Sequence, residues 1–246
     1  GPNFVTADTP VPKQPDMRNQ LQMDASTSRL FLKLIGKRTA VGDFMVYLES
    51  DFRGQGEGSY NMRLRQAYIQ LGALKVGKAW STFCDPAAAP PTIDFEGPSG
   101  TVCARNVMLQ YHHRFNEHWS MASAIEMPSA TYTTLPNASE SIKQRIPDLP
   151  SYIQYEWNDG KSHIRWSNLL RFLSYRNLME GKNKYVIGLA SQLSGMIAFS
   201  PRITFYYQAA YGHGYADYLN DLGGLGYDLI PDGDNGKLKA PYALGI

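Results

Sequence analysis

A chain of 246 residues is long enough for one large β domain or two ordinary ones, and 24 Lys and Arg against 22 Asp and Glu leave a net charge of only +2. That balance carries no nucleic-acid signature. No run approaches the roughly 20 apolar residues of a membrane-crossing helix, whereas 16 tyrosines favour strands and membrane interfaces.

Residues 1–22 read as a loop. In Ser26–Ile35, Leu30, Leu32 and Leu34 alternate with Arg29, Phe31 and Lys33. In Asp43–Phe52, Phe44, Val46, Leu48 and Phe52 alternate with Met45, Tyr47, Glu49 and Asp51. Asn61–Leu71 and Leu74–Phe83 flank a minimal Gly72-Ala73 turn. The pattern then stops in an apolar, proline-rich loop that carries Asp85, Asp94 and Glu96, with Cys84 and Cys103 at its bases.

Alternation resumes in Ser151–Trp157. Asn158-Asp159-Gly160 follows as a hairpin signal, because these residues tolerate positive φ. Ile164, Trp166, Leu170 and Phe172 are then set against His163, Arg165, Ser167 and Arg171. A further hairpin joins Lys184–Phe199 to Ile203–Tyr211 through Ser200-Pro201-Arg202, and Lys237–Ile246 begins a last strand.

The count is about ten or eleven strands, nearer the roughly 9–11 residues of a membrane-spanning strand than the roughly five or six of a globular one. Long connections alternate with short turns. The expected fold class is all-β, a transmembrane antiparallel β-barrel in the bacterial outer membrane. A closed barrel of this kind has an even number of strands. This chain starts within a loop and stops at Ala-Leu-Gly-Ile, so residues 1–246 are expected to be one partial barrel.

If Leu30 faces lipid, Arg29 and Lys33 face the lumen. Arg63 and Arg65 share a face by period two, and Arg171 lies opposite Leu170 and Phe172. A charge on the lipid face at mid-depth costs roughly 2–4 kcal/mol, so energy and alternation agree. Glu49 and Asp51, with Asp94 and Glu96 on the loop, would oppose these cations and set a transverse field across the opening. Lys75 and Lys78 fall on opposite parities, and Lys75 is the one expected to point inward. Gln66, Tyr68 and Gln70 fall on the outward parity, where polar side chains suggest burial between subunits.

Several segments resemble the DcaP-like porin family of Gram-negative outer membranes. They are Ser28-Arg29-Leu30, Tyr47-Leu48-Glu49-Ser50-Asp51-Phe52, Arg63-Leu64-Arg65-Gln66-Ala67-Tyr68, Trp80-Ser81-Thr82-Phe83 and Asp94-Phe95-Glu96-Gly97-Pro98. Gly1-Pro2, Phe4-Val5-Thr6, Leu170-Arg171 and Tyr211-Gly212-His213-Gly214 add to the likeness. The resemblance implies a homotrimer of barrels of about sixteen strands each, in contact with outer-membrane lipid and lipopolysaccharide. It implies a constriction loop over residues 84–103 folded into the pore, and diffusion of small anionic solutes such as dicarboxylates. It also assigns Arg105 to the basic wall. The parity of Arg105 is that of Val107, Leu109 and Tyr111, so a bulge near the loop base would have to re-aim it.

The two cysteines depart from that family's pattern. One expectation is a Cys84–Cys103 disulfide pinning the loop neck, worth roughly 3 kcal/mol on the chain-entropy estimate. The competing reading is two reduced, buried small hydrophobes. No cofactor or metal is expected: two thiols are too few ligands, and the spacing of His112, His113 and His118 fits no metal motif. Ser191 and Ser194 sit in no Gly-x-Ser-x-Gly context, so an enzyme is not expected. The alternative to a porin is a barrel with a closed lumen that binds a surface ligand or lipid.

Overall fold

The computed structural model describes residues 25–39, 42–55, 60–92 and 97–246. Its strands are β1 (Leu30–Thr39), β2 (Gly42–Asp51), β3 (Arg63–Leu71), β4 (Leu74–Trp80), β5 (Arg105–Arg114), β6 (Trp119–Glu126) and β7 (Ser139–Ser141). They continue as β8 (Leu149–Trp157), β9 (Ser162–Asn177), β10 (Lys182–Ser200), β11 (Ile203–His213), β12 (Ile230–Pro231), β13 (Leu238–Lys239) and β14 (Tyr242–Gly245). One antiparallel path runs β1 to β6, then β8 to β11, then β14. β7 pairs with β9, and β12 with β13 forms a separate ribbon. Among the described residues helical structure is limited to the 3-10 turns Pro86–Ala88 and Ala216–Tyr218.

Turn chemistry explains why the chain reverses where it does. Leu71 pairs with Leu74 across Gly72-Ala73, and Gly72 has φ +55°, the positive value a two-residue hairpin needs at its first central position. Asn158, Asp159 and Gly160 all have positive φ between the paired Trp157 and Ser162. These turns and those at 115–118 and 201–202 lie at one end of the wall. The long connections 81–104, 127–148 and 214–241 lie at the other. Lys237–Ile246, expected as one strand, is split into β13 and β14.

The wall has two unlike faces, as period two requires. Leu48, Ile69, Val76, Val107, Leu109, Ile125, Ile153, Ile187 and Leu189 leave an exposed apolar face. Rings gather on that face near the short turns: Trp119 packs on Tyr155, Tyr155 on Trp157, and Phe205 on Tyr207. An apolar band flanked by aromatic girdles is how a barrel meets lipid. The opposite face is polar and covered by the long connections. There Phe83, Cys84 and Val102 from connection 81–104 pack with Tyr215, Tyr218 and Leu219 from connection 214–241. Both sets rest on Leu169, Ala190 and Ala210 of β9, β10 and β11.

One irregularity changes the reading of β3. Glu49 pairs with Gln66, but Ser50 pairs with Leu64, so Arg65 is an extra residue in a β-bulge. The slip reverses parity along the rest of the strand. Gln66, Tyr68 and Gln70 therefore share the polar face with Glu49, and Gln66 Nε2 donates to Glu49 Oε2 at 2.7 Å. Their expected burial between subunits is thereby corrected.

Candidate functional site

The first cluster sits on the polar face of β2 and β3. Arg65 Nε donates to Glu49 Oε1 at 2.6 Å and its Nη1 to Asp51 Oδ2 at 2.9 Å. Arg63 grips Asp51 with two bonds, Nε to Oδ1 at 2.9 Å and Nη2 to Oδ2 at 2.6 Å. Arg29 Nε adds a looser contact, 3.9 Å from Glu49 Oε1. The bulge lets Arg63 and Arg65 reach the same pair of carboxylates. Bidentate guanidinium–carboxylate geometry makes this a strong, oriented array. Arg63 and Arg29 remain partly exposed, whereas Arg65 and both acids are buried. Lys33 faces the same way, opposite Tyr47.

The second cluster anchors the near limb of connection 81–104. Asp85 Oδ2 accepts from Ser194 Oγ at 2.7 Å and lies 2.8 Å from His163 Nε2. Arg165 Nη1 donates to Cys84 O at 3.0 Å and sits 3.6 Å from Asp85 Oδ1. Burial opposes ionisation of Asp85, but its bonds to His163 and Ser194 and the nearby Arg165 outweigh it and hold the carboxyl below its ordinary value. Ser194 and His163 both address Asp85 rather than each other, unlike a nucleophile and its base. At the loop base, Thr82 N donates to Glu126 Oε1 at 2.7 Å and Gln110 Nε2 to Thr82 Oγ1 at 2.7 Å. The far limb is held by connection 214–241: Cys103 N donates to Tyr218 O and Asn220 N to Thr101 O.

Two expected site assignments change, Arg171 and the cysteine pair, and Arg105 keeps its strand parity. Arg171 points inward, but it is 0% exposed and does not line an open pore. Its guanidinium meets Asp148 at 3.1 Å and Asp228 at 2.9 Å, and Tyr218 Oη donates to Asp148. Arg105 keeps the parity of the outward Val107 and Leu109, and its guanidinium stacks 3.7 Å from the Trp80 ring centroid. The backbone bulge lies on β3, and the charge of Arg105 still lies in the field of Arg65, Glu49 and Arg63 of the first cluster. Cys84 and Cys103 are thiols, not a disulfide. Cys84 Sγ is occupied by the Ala104 backbone, 3.2 Å from its N and 3.6 Å from its O, and burial pushes the thiol up.

Asp94 and Glu96 lie outside the described residues. Lys75 points inward, as expected, and Lys78 shares the outward face of Val76 and Val107. His112 and His113, adjacent on β5, point to opposite faces.

Eleven antiparallel strands with an apolar, aromatic-flanked face and a polar, loop-filled one define a β-barrel protein of the outer-membrane type. A model of the DcaP outer membrane protein family matches residues 4–171, and the chain belongs to that family. Its place is the bacterial outer membrane. The fold is similar to that of the outer membrane channel DcaP of Acinetobacter baumannii, with a TM-score of 0.74 and 19% identity over 90% of this chain and 60% of that one. The chain thus spans about 60% of that channel's length. OmpT of Vibrio cholerae, in a variant lacking loop L8, aligns with a TM-score of 0.40 and 12% identity over 80% of this chain and 76% of its own. No curated protein matches the chain.

Proposed function

We propose that the protein is an outer-membrane porin through which small solutes, anions in preference to cations, diffuse passively. The observation that carries the reading is the Asp85 anchor, which ties connection 81–104 across to β9 and β10; in this reading the tied loop narrows a lumen walled by ionised groups. Arg29, Arg63 and Arg65 outnumber Glu49 and Asp51 in the first cluster, leaving a net positive, oriented field beside the opening. Fixed guanidiniums lower the barrier for an anion without creating a tight site. Small dicarboxylates suit that charge and a narrow passage. Asp94 and Glu96 belong to the loop in this reading and set the acidic side of the field.

A barrel with a closed lumen is the second reading. It is favoured by the dry core that Phe83, Tyr215 and Tyr218 build inside the wall. Current through purified protein in a planar bilayer separates the two. The expected result is stable channels whose reversal potential in a salt gradient has the sign of anion preference; protein that inserts without conductance overturns the porin.

Self-association, as a homotrimer, finds support on the apolar face. Ser123 pairs with Ser151, Ser151 with Asn168, and Asn168 with Ser191, a polar row crossing four strands between apolar neighbours. Facing a second copy would spare these groups exposure to lipid. Asn168→Leu should weaken association by roughly threefold to thirtyfold, the equivalent of ~0.6–2 kcal/mol for an intramembrane polar contact. Sedimentation in detergent reads this, and an unchanged oligomer would assign the row to lipid. Lys78, on the outward parity of β4, supports contact with headgroup or lipopolysaccharide phosphates.

A further inference from the structure

Most inward cations meet a carboxylate; Lys33 on β1 and Lys75 on β4 have no ion pair among the described residues. Arg63 and Arg65 share Glu49 and Asp51, Arg114 meets Glu156, Arg165 meets Asp85, and Arg171 lies between Asp148 and Asp228. The Lys75 ammonium rests 5.3 Å from the centroid of the Tyr68 ring, a contact that leaves its three donors for another partner.

Lys75 also lines a cavity of about 230 Å³ with Gln70, Ala73, Gln110, His112 and Tyr152, and no carboxylate belongs to that lining. The space exists because β6 is small where its neighbours are long. Ala122 sits between His112 and Tyr152, and Ala124 lies beside Gln110. The bond from Gln110 to Thr82 closes the cavity toward the loop, and Ala73 marks the short-turn end. Arg165 stacks 4.1 Å from the Tyr152 ring centroid. The charged groups around His112 are Lys75, Arg114, Arg165 and Glu156, three cations against one acid.

We propose that Lys75, with His112 and the Tyr152 hydroxyl, forms a subsite for a small oxyanion, carboxylate or phosphate, at the short-turn mouth of the lumen beyond the constriction loop. An ammonium is a point charge without the fork of a guanidinium, so it accepts either oxyanion. His112 adds a ring N–H donor beside the ammonium. The role in permeation rests on the porin reading; the binding itself does not.

The test is calorimetric titration of the native full-length protein in detergent with succinate and with inorganic phosphate. Saturable binding of at least one probe is expected. Lys75→Gln should weaken it about tenfold or more, the scale of a charge-assisted hydrogen bond. Lys33→Gln removes an equal charge from β1, outside the cavity, and should leave affinity within about twofold of the parent. His112→Phe keeps a ring and loses its N–H donor, and should weaken binding about threefold or more; unchanged affinity removes His112 from the site. Binding of neither probe, or an equal loss in Lys33→Gln and Lys75→Gln, overturns the subsite. Bilayer conductance on the same preparations keeps the two readings apart. Conductance without binding defeats the subsite alone, and binding without conductance defeats the porin alone.

Discussion

Asp85→Ala should free the near limb of the constriction loop, raising single-channel conductance and current noise together. The residue is 3% exposed and supplies the only carboxylate within reach of His163, Ser194 and Arg165 among the described residues. Removing one partner of a buried pair leaves the other without compensation, at a cost of about 3–5 kcal/mol. Ser194→Ala removes one neutral donor and should cost only about 1 kcal/mol, with little change in current. The far limb, tied to Tyr218 and Asn220 through backbone bonds, is expected to stay in place in both variants. The predicted order is therefore Asp85→Ala far beyond Ser194→Ala in conductance and in thermal midpoint. Equal, wild-type currents in both would mean that this limb does not narrow the path.

The same anchor has a defined pH window. Because the folded carboxyl of Asp85 lies below its ordinary value, its contribution is fully present above the unfolded value near 4 and declines as pH falls through the lower, folded one. The anchor should consequently hold unchanged from neutral pH down to about 4, and conductance and current noise should rise only below that.

Period two was enough to read most of the wall. Leu30, Leu32 and Leu34 do oppose Arg29 and Lys33, and Lys75 does turn inward, because a strand that separates lipid from water tolerates few exceptions. The bulge was legible in principle. Arg65 and Gln66 are adjacent polar residues in an otherwise alternating run, and the phase of the pattern changes between them. Arg171 shows what periodicity cannot reach. Its inward direction follows from Leu170 and Phe172, but its confinement depends on Asp148 and Asp228 and on a connection that folds back over β9. Such partners are set by tertiary packing, for which the local pattern carries no signal. The same is true of Asp85, whose binding groups come from two later strands.

Arg63→Gln with Arg65→Gln should move selectivity strongly toward cations. In the folded protein these guanidiniums mask Glu49 and Asp51. Removing them turns a cluster with one net positive charge into one with one net negative charge, held by Arg29 alone. A unit charge about 8 Å from the ion path acts with about 0.5 kcal/mol at the dielectric constant of water. Two such changes raise the anion barrier by about 1 kcal/mol and lower the cation barrier equally, so the permeability ratio should shift by about tenfold or more at low salt. The effect should shrink as ionic strength rises, since the Debye length is about 8 Å at physiological salt. Glu49→Gln with Asp51→Asn is the reciprocal change and should deepen anion preference. If the two double variants shift the reversal potential in the same direction, damage to the wall explains both, and the cluster does not set selectivity. Shifts of opposite sign would identify the bulged end of β3 as the selectivity element, since only there, among the described residues, do two arginines reach one pair of acids.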